Sequence, residues 1–162
     1  MYDRESDMYP DVAKWLKFFL GERNLRAEIE TFPVDKIVLS SFLQQRGFHV
    51  FFPEYQSFEI EIDVLGIIKF KEKADLVFVE CKLKQITLRD ISQLFGYSKV
   101  AKPVHAFIIS PKGFSKSVNY LLNTLHRYDV LEYLPGKRIN VATWNPQRRE
   151  IVASTLLPPG TI

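Results

Sequence analysis

Three ionisable residues, Asp63, Glu80 and Lys82, stand in segments whose remaining residues read as apolar strand. Asp63 lies in Glu59-Ile-Glu-Ile-Asp-Val-Leu-Gly66, and the other two flank Cys81 in Leu76-Val-Phe-Val-Glu-Cys-Lys-Leu83. Charged side chains are rarely buried unless they are paired or bind metal. Glu80 and Lys82 are two residues apart, so on a strand they share a face while Cys81 turns into the opposite layer. Asp63 shares its face with Glu59 and Glu61. If the two segments form a hairpin in register, Asp63 and Glu80 converge to metal-ligand reach. Paired carboxylates completed by water are what Mg²⁺ or Mn²⁺ prefers, and a divalent cation relieves their mutual repulsion. A lysine beside that ion would orient or deprotonate an attacking water, or offset charge developing on phosphorus. The residue types fit phosphodiester hydrolysis. Taken alone they also fit a Glu–Lys ion pair at a strand end with Asp63 solvated.

The elements that must position these groups follow from periodicity. Phe58 to Ile68 alternates, with Ile60, Ile62 and Val64 on one side. Lys69 to Lys73 is a polar turn into a nearly all-apolar strand, Asp75 to Lys82, as expected of a strand covered on both faces. Thr87-Leu-Arg-Asp90 is a capping-box pattern opening a helix from Leu88 to about Ala101, which Pro103 stops before a buried strand, Val104 to Ser110. A strand–helix–strand unit of this kind implies a parallel pair. Upstream, residues 8–20 predict an amphipathic helix ended by Gly21, Arg26 to Phe32 is ambiguous between strand and loop, Pro33 to Arg46-Gly47 predicts a second helix, and Phe48 to Phe52 a strand. Downstream, Phe114 to Arg127 predicts a core helix and Val130 to Leu134 a short strand. Ile139 to Trp144 with Glu150 to Thr155 predicts a hairpin. The class is mixed α/β, with helices on both faces of the sheet.

At 162 residues, with 46% hydrophobic and 14% aromatic residues, the chain is expected to fold as one domain with a substantial core. No apolar run reaches the length of a membrane span, and the start of the sequence is acidic and polar, unlike a signal peptide. A lone cysteine excludes an internal disulfide and a thiolate zinc cluster. A cytoplasmic protein is the expectation. The net charge of +3 is a mild lean toward nucleic acid. Its distribution says more, because acids concentrate between Glu54 and Glu80 while Lys and Arg dominate from Lys82 to Lys116 and from Lys137 to Arg149. His49, His105 and His126 lack ligand spacing, so structural or surface roles are expected of them.

On Ile62-Asp63-Val64 and Val79-Glu80-Cys81-Lys82, within this order of elements, the chain resembles the PD-(D/E)xK nuclease superfamily. Gln93-Leu-Phe-Gly-Tyr97 on the next helix resembles the Q-x-x-x-Y motif of its RecB-like branch; a spacing of four puts both side chains on one helical face. The resemblance covers about residues 33–110. It implies a restriction-endonuclease-like α-β-β-β-α-β core and a Mg²⁺- or Mn²⁺-dependent deoxyribonuclease with DNA as partner. Its implied metal ligands are Asp63, Glu80 and the Cys81 backbone carbonyl; Lys82, Gln93 and Tyr97 complete the implied catalytic set. Two departures stand out. The proline that names the superfamily is replaced by Ile62, and the third acid many members take from the first core helix is open among Glu28, Glu30, Asp35 and Glu61. Many relatives dimerise to cut both strands, so the resemblance allows a homodimer. A non-catalytic module retaining the fold, and a nuclease directed at RNA, are the competing readings.

Overall fold

Leu76 to Cys81 is apolar at every position but Glu80, so it needs cover on both faces, and the fold supplies it. The computed structural model describes residues 1–162. In chain order its elements are α1 (Tyr9–Arg23), β1 (Glu28–Pro33), α2 (Leu39–Gln45), β2 (Val64–Lys69), β3 (Ala74–Cys81), α3 (Leu88–Ala101), β4 (His105–Ser110), α4 (Lys116–Asn119), β5 (Glu132–Leu134), β6 (Lys137–Arg138), β7 (Asn140–Asn145) and β8 (Glu150–Ile151). Six strands form one mixed sheet in the order β1-β2-β3-β4-β7-β8. β3 is antiparallel to β2 and parallel to β4, which is itself parallel to β7. No helix is long and apolar enough to cross a membrane.

Period-two alternation divides the core in two. Leu76 and Phe78 of β3 face the layer built from α2, α3 and α4, whereas Val77, Val79 and Cys81 face α1. α1 lies close against the sheet because β2 offers Gly66 there. A Cβ at that position would stand 3.0 Å from Leu20 Cδ1 and 3.1 Å from both Leu16 Cδ2 and Val77 Cβ. α3 begins at the expected capping box: the Asp90 N–H donates to Thr87 Oγ1 and the Thr87 N–H donates to Asp90 Oδ2.

The α-β-β-β-α-β order is present, but its first helix and strand are α1 and β1, so the core starts near residue 9 instead of 33. The helix expected from Pro33 is confined to Leu39–Gln45. Pro33 closes β1 opposite Val64, the Val34 N–H donates to the Asp63 carbonyl at 2.9 Å, and Lys36 sits at φ 61°. A left-handed residue interrupts a right-handed helix. Phe48–Phe51 is a 3₁₀ turn, entered from Gly47 at φ 76°, in place of the expected strand. The alternation from Phe58 to Ile62 is real in burial, but the ladder begins only at Val64. Upstream of it the Ile60 and Phe58 carbonyls accept from Leu39 and Ser40 at the start of α2.

α1 runs through Gly21 to Arg23, its end satisfied by the Asn24 side chain donating to the Leu20 carbonyl. The helix expected over 114–127 is α4 followed by a π-turn at Tyr120–Thr124, ending before His126 at φ 52°. β5 pairs with β6 in a separate two-stranded sheet. The expected terminal hairpin is β7 with a β8 of two residues, after which Ala153–Thr155 turns as 3₁₀.

Candidate active site

The β2–β3 ladder pairs Lys69 with Ala74 at one end and Val64 with Val79 at the other. One further step sets Asp63 opposite Glu80. Both Asp63 oxygens are held: Oδ2 accepts the Cys81 N–H at 2.8 Å, and Oδ1 accepts the hydroxyl of Tyr9, in the first turn of α1, at 2.9 Å. Burial raises the Asp63 pKa; the Cys81 N–H, the Tyr9 hydroxyl and the Lys82 charge oppose it. Glu80 is only 8% exposed. Burial first, and then the adjacent Asp63 charge, push its carboxyl up to about 9. Without another cation, the pair therefore keeps a proton at neutral pH.

Lys82 projects from the same side of the chain as Glu80. Burial pulls its pKa down, but Glu5, Glu80, Asp90 and Asp63 together more than reverse this, so the ammonium persists. Its Nζ lies 3.7 Å from Asp90 Oδ1. Asp90 is also the capping carboxylate of α3, so one side chain ties the helix start to the lysine. Three and seven residues further along the same helical stripe come Gln93 and Tyr97. The Gln93 amide donates to the Tyr97 hydroxyl at 3.3 Å, with Gln93 exposed and Tyr97 half-buried against the core. Cys81 is fully buried on the α1 side, and the contact it makes with Asp63 is through its N–H.

Glu5, from a short 3₁₀ turn preceding α1, also reaches the site, and the sequence pattern did not mark it. Its Oε2 accepts the Leu83 N–H at 3.3 Å, and its charge acts on Asp63, Glu80, Cys81 and Lys82. The polar opening of the chain carries no periodicity that would have singled it out. The acids weighed from the sequence differ in where they stand. Glu28 and Glu30 pair with Lys69 and Ile67, toward the far end of β2. Glu61 is exposed, and the charge of Asp35 acts on the Tyr9 hydroxyl that donates to Asp63.

A divalent cation suits this donor set: two facing carboxylates, one of them held protonated by burial and by its neighbour's charge. No group of three or more His, Cys, Asp or Glu side chains is arranged to hold an ion by itself. An ion here would complete its shell with backbone carbonyl and water oxygens, as Mg²⁺ commonly does.

No protein-family model matches the chain, and no curated protein matches it. Among solved structures, it is similar to the MspJI restriction endonuclease in complex with a 27-mer oligonucleotide, at 8% identity and a TM-score of 0.49. The aligned part covers 87% of this chain and 26% of that one. It is also similar to AF1548, a protein of unknown function, at 12% identity and a TM-score of 0.41, over 88% of this chain and 61% of that one. The chain thus spans about a quarter of the first and three fifths of the second. Likeness at this level carries no argument about chemistry.

Proposed function

We propose that the protein is a divalent-metal-dependent nuclease that hydrolyses phosphodiester bonds in DNA, similar in plan to the RecB-like branch of the PD-(D/E)xK superfamily. One observation carries the reading: the register that sets Asp63 opposite Glu80 at the sheet end, with Lys82 beside them. Asp63, Glu80 and the Cys81 carbonyl would hold Mg²⁺ or Mn²⁺, with Glu5 adding negative charge beside them. The bound ion supplies charge neutralisation at the phosphate and activation of the attacking water. Tyr9 and the Cys81 N–H keep the Asp63 carboxylate in one orientation. The persistent Lys82 ammonium orients the nucleophile and offsets charge developing on the phosphoryl oxygens. Gln93 and Tyr97, on the stripe that starts at Asp90, face the bound strand.

Cleavage of linear, circular, branched and single-stranded DNA with Mg²⁺ or Mn²⁺ tests this directly, with RNA at equal salt as the comparison. Glu80→Ala and Lys82→Ala are expected to abolish cleavage while circular dichroism stays unchanged. Glu5→Gln is expected to weaken Mn²⁺ binding by calorimetry. Cleavage surviving in both alanine variants removes the assignment. DNA binding without any metal binding establishes the non-catalytic module instead.

A further inference from the structure

Away from the carboxylates, a polar cleft of about 410 Å³ opens beside the start of β4. Glu80 pairs with Ile108, three residues along the strand from His105, so the cleft lies about 10 Å back toward the other end of the sheet. His105, Glu132, Lys137, Arg138, Asn140 and Thr161 line it. Its volume is in the range of small-molecule sites, about 300–1,000 Å³.

The charges around this cleft are unbalanced. Glu132 is already engaged: its Oε1 accepts the Gly136 N–H at 3.3 Å and lies 3.9 Å from Arg138 Nε. Lys137 takes part in no ion pair. Nor does Arg23, whose guanidinium lies 3.8 Å over the Phe19 ring. The His105 imidazole lies edge-on to Phe19 and stacked on Phe107. Burial, then Lys137 and then Arg23, hold it below its ordinary value, with Asp75 alone opposing. Asn140, buried and lining the cleft, donates its amide to Thr161 Oγ1 and so joins β7 to the Thr161 segment.

We propose that this cleft is an anion site, separate from the carboxylate site, for a phosphate monoester of nucleotide size. Two cations on the cleft wall, Lys137 outside any ion pair and Arg138 at 3.9 Å from Glu132, together with the His105 imidazole, suit an anion carrying more than one charge. The room beyond a single phosphate suits its organic part. Lys137 and Arg138 supply the charged contacts, and His105 becomes a donor once the anion offsets the neighbouring cations.

The test is NMR of the full chain with labelled histidine, titrated with inorganic phosphate, dAMP and a 5′-phosphorylated oligonucleotide. The His105 resonances are expected to shift saturably with dAMP, while those of His49 and His126 stay fixed and report an intact fold. With dAMP bound, the His105 titration midpoint rises by about one unit, the ordinary effect of an adjacent opposite charge. Lys137→Ala weakens dAMP binding about tenfold, the loss of one charge-assisted contact. Tighter binding of the oligonucleotide than of dAMP identifies a strand terminus as the source of the phosphate; the reverse identifies a free nucleotide. The proposal falls if His105 responds to none of the three at millimolar concentration, or if its response persists in Lys137→Ala and Arg138→Ala alike. Neither result depends on whether the carboxylate site cleaves DNA.

Discussion

Glu80 keeps a carboxyl group almost out of water, facing a second carboxylate, and that has a measurable consequence for the metal-free protein. In the unfolded chain it titrates at its ordinary 4.5, whereas in the folded chain burial and Asp63 move it to about 9. Between these values the folded state binds a proton that the unfolded state does not. Stability in chelator is therefore highest at the acid side of the window and falls as pH rises through it. Glu80→Gln, which cannot ionise, should flatten that dependence and exceed the natural protein in stability at pH 8 in chelator. Urea unfolding at pH 5 and pH 8 measures both. Mg²⁺ should then raise the melting temperature of the natural protein at pH 8, by linkage to the folded state, and leave Glu80→Gln unmoved. An equal shift in both would mean that the ion binds elsewhere. At this scale Asp63, Glu80 and Lys82 were legible because charge in an apolar strand is anomalous on its face. Glu5 was not, since its proximity comes from the way α1 folds back over the sheet end.

Elements with a strong local signal formed close to where their sequences predict, β2 only over its second half. β2, β3, α3 and β4 combine uninterrupted apolar runs or clean alternation with a capping box and a polar turn, so local and tertiary preferences agree. The misreadings fall where tertiary hydrogen bonds override periodicity. The helix expected from Pro33 starts only at Leu39, because Pro33 closes β1 and the Val34 N–H is taken by the Asp63 carbonyl. The aromatics of Phe48 to Phe52 reach the core from a 3₁₀ turn instead of a strand. The approach of α1 to Gly66 gives the prediction that belongs at this scale. Gly66→Ala places a methyl 3.0 Å from Leu20 and 3.1 Å from Leu16 and Val77, so these α1 side chains, or α1 with them, must give by a few tenths of an ångström. Overpacking of this kind costs about 1–3 kcal/mol. A chain of this length then loses about 2–4 °C in melting temperature per kcal/mol. Because α1 also carries Tyr9, metal affinity should fall together with stability. A variant that melts like the natural protein would show that the helix accommodates the methyl.

Across the whole molecule, the parallel strands β3 and β4 both deliver their carboxyl ends to the side where Asp63 and Glu80 meet, the edge at which open α/β sheets bind ligands. The basic run beginning at Lys82 then acquires a location. Lys84 and Lys112, both exposed, sit on the loops leaving these strands and line one concavity with Tyr2, Leu83 and Pro111. Ser110 joins the two loops, donating to the Lys84 carbonyl at 2.6 Å and accepting the Lys112 N–H at 3.1 Å. Leu83 is also the residue whose N–H meets Glu5, so this basic rim adjoins the acids directly. A DNA strand presenting a phosphate to the carboxylates would lay its neighbouring phosphates along the two lysines. Such contacts position the backbone without reading bases. Lys84→Ala and Lys112→Ala should each weaken binding to every sequence alike and reduce the slope of log affinity against log salt by about 1. Fluorescence anisotropy of a labelled duplex in chelator, from low to moderate salt, measures that slope without cleavage. If the double variant keeps the natural slope, the DNA face lies elsewhere on the molecule, and the second basic run, Lys137 to Arg149, becomes the surface to test.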